Sequence, residues 1–199
     1  MHSPATPISG SGLFATVSYQ AAGAGTSTVS CDPLISDING FAQPVNFSGT
    51  SVVVLLFATI SGNATYQGRI SHAGITVTAI GPVTRSSSTD ENGDYTIEEL
   101  RTGTYDVRAE ASKYLPNCTS LSLASGDAAT LPDTTLRGGN ANSEDEIINI
   151  ADATLVAANF NLSVPPADPM GDFNSDGIVN VQDLSILGSN YGLSGCQAW

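Results

Sequence analysis

Six oxygen-bearing residues stand at a spacing that suits a hard cation. In the run Asp172-Phe-Asn-Ser-Asp-Gly-Ile-Val-Asn-Val-Gln-Asp183, Asp172, Asn174 and Asp176 take positions 1, 3 and 5 of a twelve-residue loop. Gly177 at position 6 supplies a sharp turn, and Ile178 offers its backbone carbonyl at position 7. Asn180 at position 9 serves directly or through water, and Asp183 closes the loop at position 12. Hard oxygen donors in this order are the ligand pattern of a calcium loop. Carboxylates packed this closely repel one another, so the loop is expected to be poorly ordered until a cation neutralises them.

A second, less regular copy precedes it. Asn140-Ala-Asn-Ser-Glu-Asp-Glu-Ile-Ile-Asn-Ile-Ala-Asp152 is followed by Ala153-Thr-Leu-Val-Ala-Ala-Asn-Phe160, as Asp183 is followed by Leu184-Ser-Ile-Leu-Gly-Ser-Asn-Tyr191. Each half reads as a loop and then a helix. The first loop has thirteen residues, begins with Asn instead of Asp, and has no Gly before its paired isoleucines. Aligned from its start, Asn140, Asn142 and Glu144 are the early ligands; aligned from its end, Asn149 and Asp152 are the late ones. The expectation is a bulged, weaker calcium site, with a calcium-free pseudo-loop as the alternative.

Two loops, each followed by one helix and lacking a helix before it, make Gly138 to about Leu193 resemble a dockerin, an EF-hand-like module. The resemblance implies a pseudo-symmetric pair of helices held by calcium, and a cohesin as partner. Leu155, Val156 and Phe160 are expected to pack against Leu184, Leu187 and Tyr191, given their spacing of three and four. The family's recognition positions, 10 and 11 of each loop, hold Ile150 and Ala151 in one half and Val181 and Gln182 in the other. They are not the hydroxyl pair of many enzyme-borne dockerins, and their mostly apolar character implies a more hydrophobic contact.

The residues that must carry this module come before it. Between about Phe57 and Arg137, short runs alternate apolar and polar residues at period two: Gly74-Ile-Thr-Val-Thr-Ala-Ile80, Gly103-Thr-Tyr-Asp-Val-Arg-Ala109 and others, the pattern of half-buried strands in an antiparallel sandwich. Thr89-Asp-Glu-Asn-Gly-Asp-Tyr-Thr-Ile97 with Leu100-Arg-Thr-Gly-Thr-Tyr-Asp-Val resembles the carboxypeptidase regulatory-like repeat, related to B-type repeats of bacterial surface adhesins. That implies a spacer. Asp90, Glu91, Asn92 and Asp94 invite a metal reading, but Asn92-Gly93 between strands is a hairpin turn first.

Upstream, Gly12–Tyr19, Thr26–Cys31 and Ser51–Phe57 read as strands punctuated by Ala21-Ala-Gly-Ala-Gly25 and Asp37-Ile-Asn-Gly40. These runs resemble the last strands of a cohesin-like domain. Three or so strands are too few for a sandwich, so the missing ones are expected either upstream of Met1 or on another chain.

Composition narrows the partners. Six Lys and Arg against nineteen Asp and Glu give a net charge of -13, which lacks the field a nucleic-acid binder uses. The longest apolar run, Val52 to Ala58, is strand-sized, far short of a bilayer span. Residues 1–7 lack the basic start and apolar core of a signal peptide, although Gly, Ser and Thr richness suits an extracellular or cell-surface setting. Cys31, Cys118 and Cys196 are too far apart and too few for a disulfide framework or a zinc site; structural thiols are expected, with one bridge plus a free thiol as the alternative. His72 has no nucleophile pattern near it, and no paired carboxylates suggest a glycosidase cleft.

The expected fold class is therefore mainly β with a small α C-terminal module. Antiparallel β-sandwiches (1–56 partial cohesin-like strands, 57–137 carboxypeptidase regulatory-like) precede a two-helix EF-hand-like dockerin at 138–199. The expected role is a non-catalytic extracellular scaffold that binds Ca2+ and docks to a cohesin-like domain of another protein or of another copy of itself. Head-to-tail or strand-complemented filaments would follow from such self-docking. The alternative is a carbohydrate-binding accessory fragment of a secreted polysaccharide-degrading enzyme.

Overall fold

The computed structural model describes residues 49–142 and 145–199, and before them only positions 18, 20, 23, 25–30, 35–36 and 40–43. Two compact units result, Met1–Leu56 and Phe57–Trp199. In the first, β1 (Gly25–Val29) pairs antiparallel with β4 (Thr50–Val54), and β2 (Ile35–Ser36) with β3 (Ala42–Gln43). These strands match two of the three expected runs; the one at 12–19 falls, but for Ser18, outside the described residues. Val52 and Val53 stay exposed in β4.

The second unit is a sandwich with a helical module built onto it. Along β5 (Ala58–Tyr66) the side chains of Ala58, Ile60, Ala64 and Tyr66 are buried, the period of two that puts one face of a strand into a core. The strands that follow are β6 (Thr76–Ile80), β7 (Arg85–Ser88), β8 (Asp94–Leu100), β9 (Gly103–Glu110) and β10 (Lys113–Tyr114). Then come β11 (Asn117–Leu123), β12 (Ala128–Thr130), β13 (Thr134–Leu136) and β14 (Gly138–Asn140). One sheet has the order β17-β11-β9-β6-β7, β17 being the C-terminal Gln197–Ala198; in the other, β5 pairs β8 on one side and β12 and β13 on the other. Their inner faces meet in a core that includes Ile60, Val77, Ile97, Leu100, Tyr105 and Leu136.

Not every pairing is antiparallel, as the sequence pattern suggests. β12 and β13 run parallel to β5, and β17 parallel to β11, because after β11 the chain crosses to the other sheet and arrives in the direction of β5. The 90–94 segment is a turn, as expected: Asp90 Oδ1 accepts the N–H groups of Asn92 (2.9 Å) and Asp94 (3.0 Å). Gly93 sits at φ +93°, where a Cβ would lie 2.5 Å from the Ala64 carbonyl oxygen.

The chain leaves the sandwich through β14, which pairs with β10, and enters α1 (Ile150–Ala158), β15 (Leu162–Ser163), a 3-10 turn (Pro169–Gly171), β16 (Ile178–Val179) and α2 (Val181–Asn190). Asn149 and Asn180 cap the two helices in capping boxes completed by Asp152 and Asp183, which satisfies N–H groups that a helix start leaves open. A second core gathers Leu115, Ile148, Val156, Phe173, Val179 and Leu187. Val156 and Leu187 are buried as the helical spacing predicts, with Leu155 packed beside them, but Phe160, Leu184 and Tyr191 are 40%, 43% and 52% exposed. The helices end before Phe160 and Tyr191, and the chain then turns at Asn161 (φ 61°) and Gly192 (φ 87°), which carries both rings outward.

The cysteine expectation is corrected. Cys118 and Cys196 form a disulfide, Cα atoms 5.7 Å apart, that staples the C-terminal tail to the sandwich; Cys31 lies outside the described residues. Folding brings together what sequence distance separates. Trp199 continues the staple, donating its indole N–H to the Pro132 carbonyl (2.8 Å) and meeting Tyr95 edge-on. Among the described residues no helix is long and apolar enough to cross a membrane.

Candidate metal centre and docking face

The second loop closes on its own backbone. Asp183 is fully buried; its Oδ1 accepts the N–H of Phe173 (2.7 Å) and Asn174 (3.3 Å), and its Oδ2 that of Asn180 (2.9 Å). Asp172 Oδ1 accepts from Asp176 N–H (3.2 Å) and Oδ2 from Gly177 N–H (3.0 Å). Asp176 Oδ1 takes the Ile178 N–H (2.9 Å). Ser175 and Gly177, at φ 57° and 88°, curl the chain between them, so position 6 needs its glycine.

These residues fit a hard cation by chemistry: three carboxylates, the Asn174 and Asn180 amide oxygens and the Ile178 carbonyl, with no sulfur or imidazole in the loop. Carboxylates alone are too sparse. Among the described residues no group of three or more His, Cys, Asp or Glu side chains could hold a metal ion, so a site here depends on the amides and the carbonyl as well. Asn174 now donates to Asp176 Oδ2 (2.9 Å) and to Gln182 Oε1 (2.7 Å).

The first loop repeats the closure. Asp152, also fully buried, accepts Asn142 N–H on Oδ1 (3.0 Å) and Asn149 N–H on Oδ2 (2.8 Å), and Asp145 Oδ1 takes the Ile147 N–H (3.1 Å). These bonds align Asn142 with Asn174, Asp145 with Asp176 and Asp152 with Asp183, so the extra residue lies at 143–144. Asp145 thus occupies the position-5 place for which Glu144 is expected from the start of the loop; Glu144 itself lies outside the described residues. The end-aligned count, seven residues back from the closing Asp, was the signal that identifies it. Asn140 stands where Asp172 does and is 7% exposed, yet its Oδ1 has no hydrogen-bond partner. A buried acceptor left open costs free energy, and a cation would satisfy it. Glu146 replaces the turn glycine and pairs outward with Arg108, which also holds Glu110.

The halves are cross-linked by a pseudo-two-fold pattern. Ile178 and Val179 pair with Ser163 and Leu162 after α1, while Ile147 bridges Ser194 and Ile148 N–H donates to Leu193 O (2.9 Å) after α2. Each loop is therefore tied to the tail of the other half. The four positions expected to meet a partner all lie at the surface: Ile150 and Val181 are 69% and 62% exposed, and Ala151 and Gln182 are exposed beside them.

All six basic residues belong to 57–137, whereas 138–199 holds eight Asp and Glu and no Lys or Arg. Three of the six reach the acidic module. Lys113 Nζ donates to the carbonyls of Pro169 (3.0 Å) and Asp172 (2.6 Å), and Arg69 Nε to that of Phe173 (3.1 Å). Tyr114 OH donates to the same Phe173 carbonyl (2.6 Å), and burial pushes its phenol up to about 12. Burial lowers the Lys113 ammonium from its ordinary value, helped by Arg69, while Asp172, Asp183 and Asp168 oppose the change. Gln67 completes the junction, accepting from Asn190 Nδ2 at 2.6 Å.

Residues 59–137 match the family model of the carboxypeptidase regulatory-like domain. That match ends at Arg137, before the paired loops. The chain is also similar in structure to a chain of a type II cohesin–X-dockerin complex from Acetivibrio cellulolyticus, a C-terminal interface mutant: TM-score 0.59 at 25% identity, covering 69% of this chain and 97% of that one. An N-terminal interface mutant of that complex gives TM-score 0.61 at 23% identity with the same coverage. No curated protein matches the sequence. The fold is mainly β, with sandwich-like sheets and two short C-terminal helices, and it is shared with a component of a protein-docking complex.

Proposed function

We propose that the chain is a non-catalytic extracellular or cell-surface scaffold whose C-terminal pair of loop–helix halves is a calcium-stabilised dockerin, binding a cohesin-like domain, with the 59–137 sandwich as the rigid base. The observation that carries the reading is the duplicated closure. In both halves a buried Asp at the last loop position accepts the N–H groups of positions 3 and 9, and the same residue completes the capping box of the helix that follows. A solvated acidic turn has no reason to repeat that arrangement. Calcium, when bound, would supply charge neutralisation among Asp172, Asn174, Asp176, Ile178 O, Asn180 and Asp183, and in the first half among Asn140, Asn142, Asp145, Asn149 and Asp152.

The docking face would be centred on Ile150 and Val181. Ile150 and Val181 are exposed apolar side chains at equivalent places of the two halves, the kind that a partner's surface covers on binding, and Ala151 and Gln182 are exposed next to them in the chain. The likeness to a chain of a cohesin–X-dockerin complex supports a cohesin as the partner.

The test is a binding assay with a purified type II cohesin as probe. Binding is expected in calcium, lost in chelator, and weakened about a hundredfold or more by the pair Ile150→Asp and Val181→Asp, since central apolar anchors carry most interface energy. Sedimentation of the chain alone in calcium reads self-docking. If the cohesin bound equally well in chelator, or the double variant bound as the parent does, the reading would be wrong.

A further inference from the structure

We propose that Lys113 is a built-in counter-cation of the second loop, which keeps residues 172–177 on their folded path when no calcium is present. This goes beyond the docking role and rests on it only where calcium enters the test.

The module at 138–199 carries no positive charge of its own, so its buried Asp172 and Asp183 need one from elsewhere. Lys113 reaches the carbonyl of Asp172 itself, at loop position 1, together with that of Pro169 just before it. Lys113 sits at φ +74° in a turn closed by the Tyr114 N–H on the Ala111 carbonyl (3.3 Å), and the β10–β14 pairing slips register at Lys113/Tyr114. That turn sets Lys113 at the start of β10, from which its ammonium reaches the loop's carbonyls. Tyr114 and Arg69 hold the next carbonyl, Phe173 O. On the first loop the sandwich cation Arg108 takes a side chain, that of Glu146, where Lys113 takes backbone carbonyls. The carboxylate repulsion that the sequence places in the second loop is opposed by a cation the fold already supplies.

Amide hydrogen exchange of the full chain in chelator tests this. In the parent, the amides of Phe173, Asn174, Asp176 and Gly177 are expected to be protected. Lys113→Met, which keeps the apolar stem, is expected to speed their exchange about tenfold or more, since charge-assisted bonds are the stronger ones and their loss opens the segment locally. Lys113→Arg is expected to restore most of the protection. In saturating calcium the difference between parent and Lys113→Met is expected to shrink to about twofold, because the metal replaces the ammonium's role. Should Lys113→Met fail to fold, Lys113→Gln, which keeps a donor but not the charge, is expected to speed exchange severalfold. Parent amides that exchange freely in chelator, or a Lys113→Met variant (or, in its place, Lys113→Gln) as protected as the parent, would overturn the proposal. If calcium binds nowhere, the docking account fails while the chelator measurement still decides this one.

Discussion

The two loops of the C-terminal module close in the same way and open in different ways. At the closing end, Asp152 and Asp183 are both fully buried and both receive the N–H groups of positions 3 and 9. At the opening end, Asp172 holds two backbone N–H groups whereas Asn140 holds none on its buried Oδ1. The inserted residue and the exchange of Gly177 for Glu146 fall between those ends. The closing Asp keeps its place in spite of the insertion: Asp152 Oδ2 takes the local N–H of Asn149, and Oδ1 still takes that of Asn142 from across the inserted residue. Position 1 is tied instead to the sharp turn at position 6: Asp172 takes the Gly177 N–H, and where Glu146 stands in that glycine's place the Asn140 Oδ1 has no donor.

The strongest way to break the comparison is at the shared end. Asp183→Ala strands three backbone donors in a buried setting, and each unpaired donor costs about 1–3 kcal/mol; a loss of about 3 kcal/mol or more is expected by denaturant unfolding. Asp152→Ala, with two donors stranded, is expected to cost somewhat less. A comparable effect should follow from opening the disulfide, the point where the second half's tail is fixed and the first half's is not. Cys118 and Cys196 are 78 residues apart, and chain-entropy reasoning gives up to about 4 kcal/mol for such a loop. Cys118→Ser with Cys196→Ser should show it as a lowered unfolding midpoint, equal to that of the reduced parent.

Much of this organisation was legible beforehand. Period-two runs mark the sandwich strands, and the Asp172–Asp183 spacing singles out Asp172, Asp176 and Asp183, whose carboxylates the structure turns onto N–H groups of the loop itself. The first loop was legible only from its two ends, because an insertion has no address in a sequence; the bond from Ile147 N–H to Asp145 supplied it. The outward turn of Phe160 and Tyr191 was hidden because helical spacing says nothing of where a helix stops. Nor could the junction be read: nothing in the spacing of Lys113 and Arg69 along the chain points to the carbonyls of Asp172 and Phe173, against which the fold sets them. The Cys118–Cys196 pairing was missed for the same reason, since only the return of β17 to β11 brings those residues together.

Smaller effects sharpen the comparison at the opening end. Asp145→Ala is expected to weaken calcium binding in the first loop about tenfold or more, and Glu144→Ala severalfold at most, as read by calorimetric titration; the reverse order would move the insertion. Asn140→Asp supplies the carboxylate the second loop already has at that position and is expected to tighten the first site severalfold, since affinity in such loops follows ligand charge.

The measurement that bears most directly on the account is a calcium titration of the intact chain by calorimetry, repeated on Asp172→Ala. The account predicts two binding events of unequal affinity in the parent, with the tighter one lost in the variant and the weaker one kept. A chain that takes up no calcium, or an Asp172→Ala variant that titrates as the parent does, would contradict it.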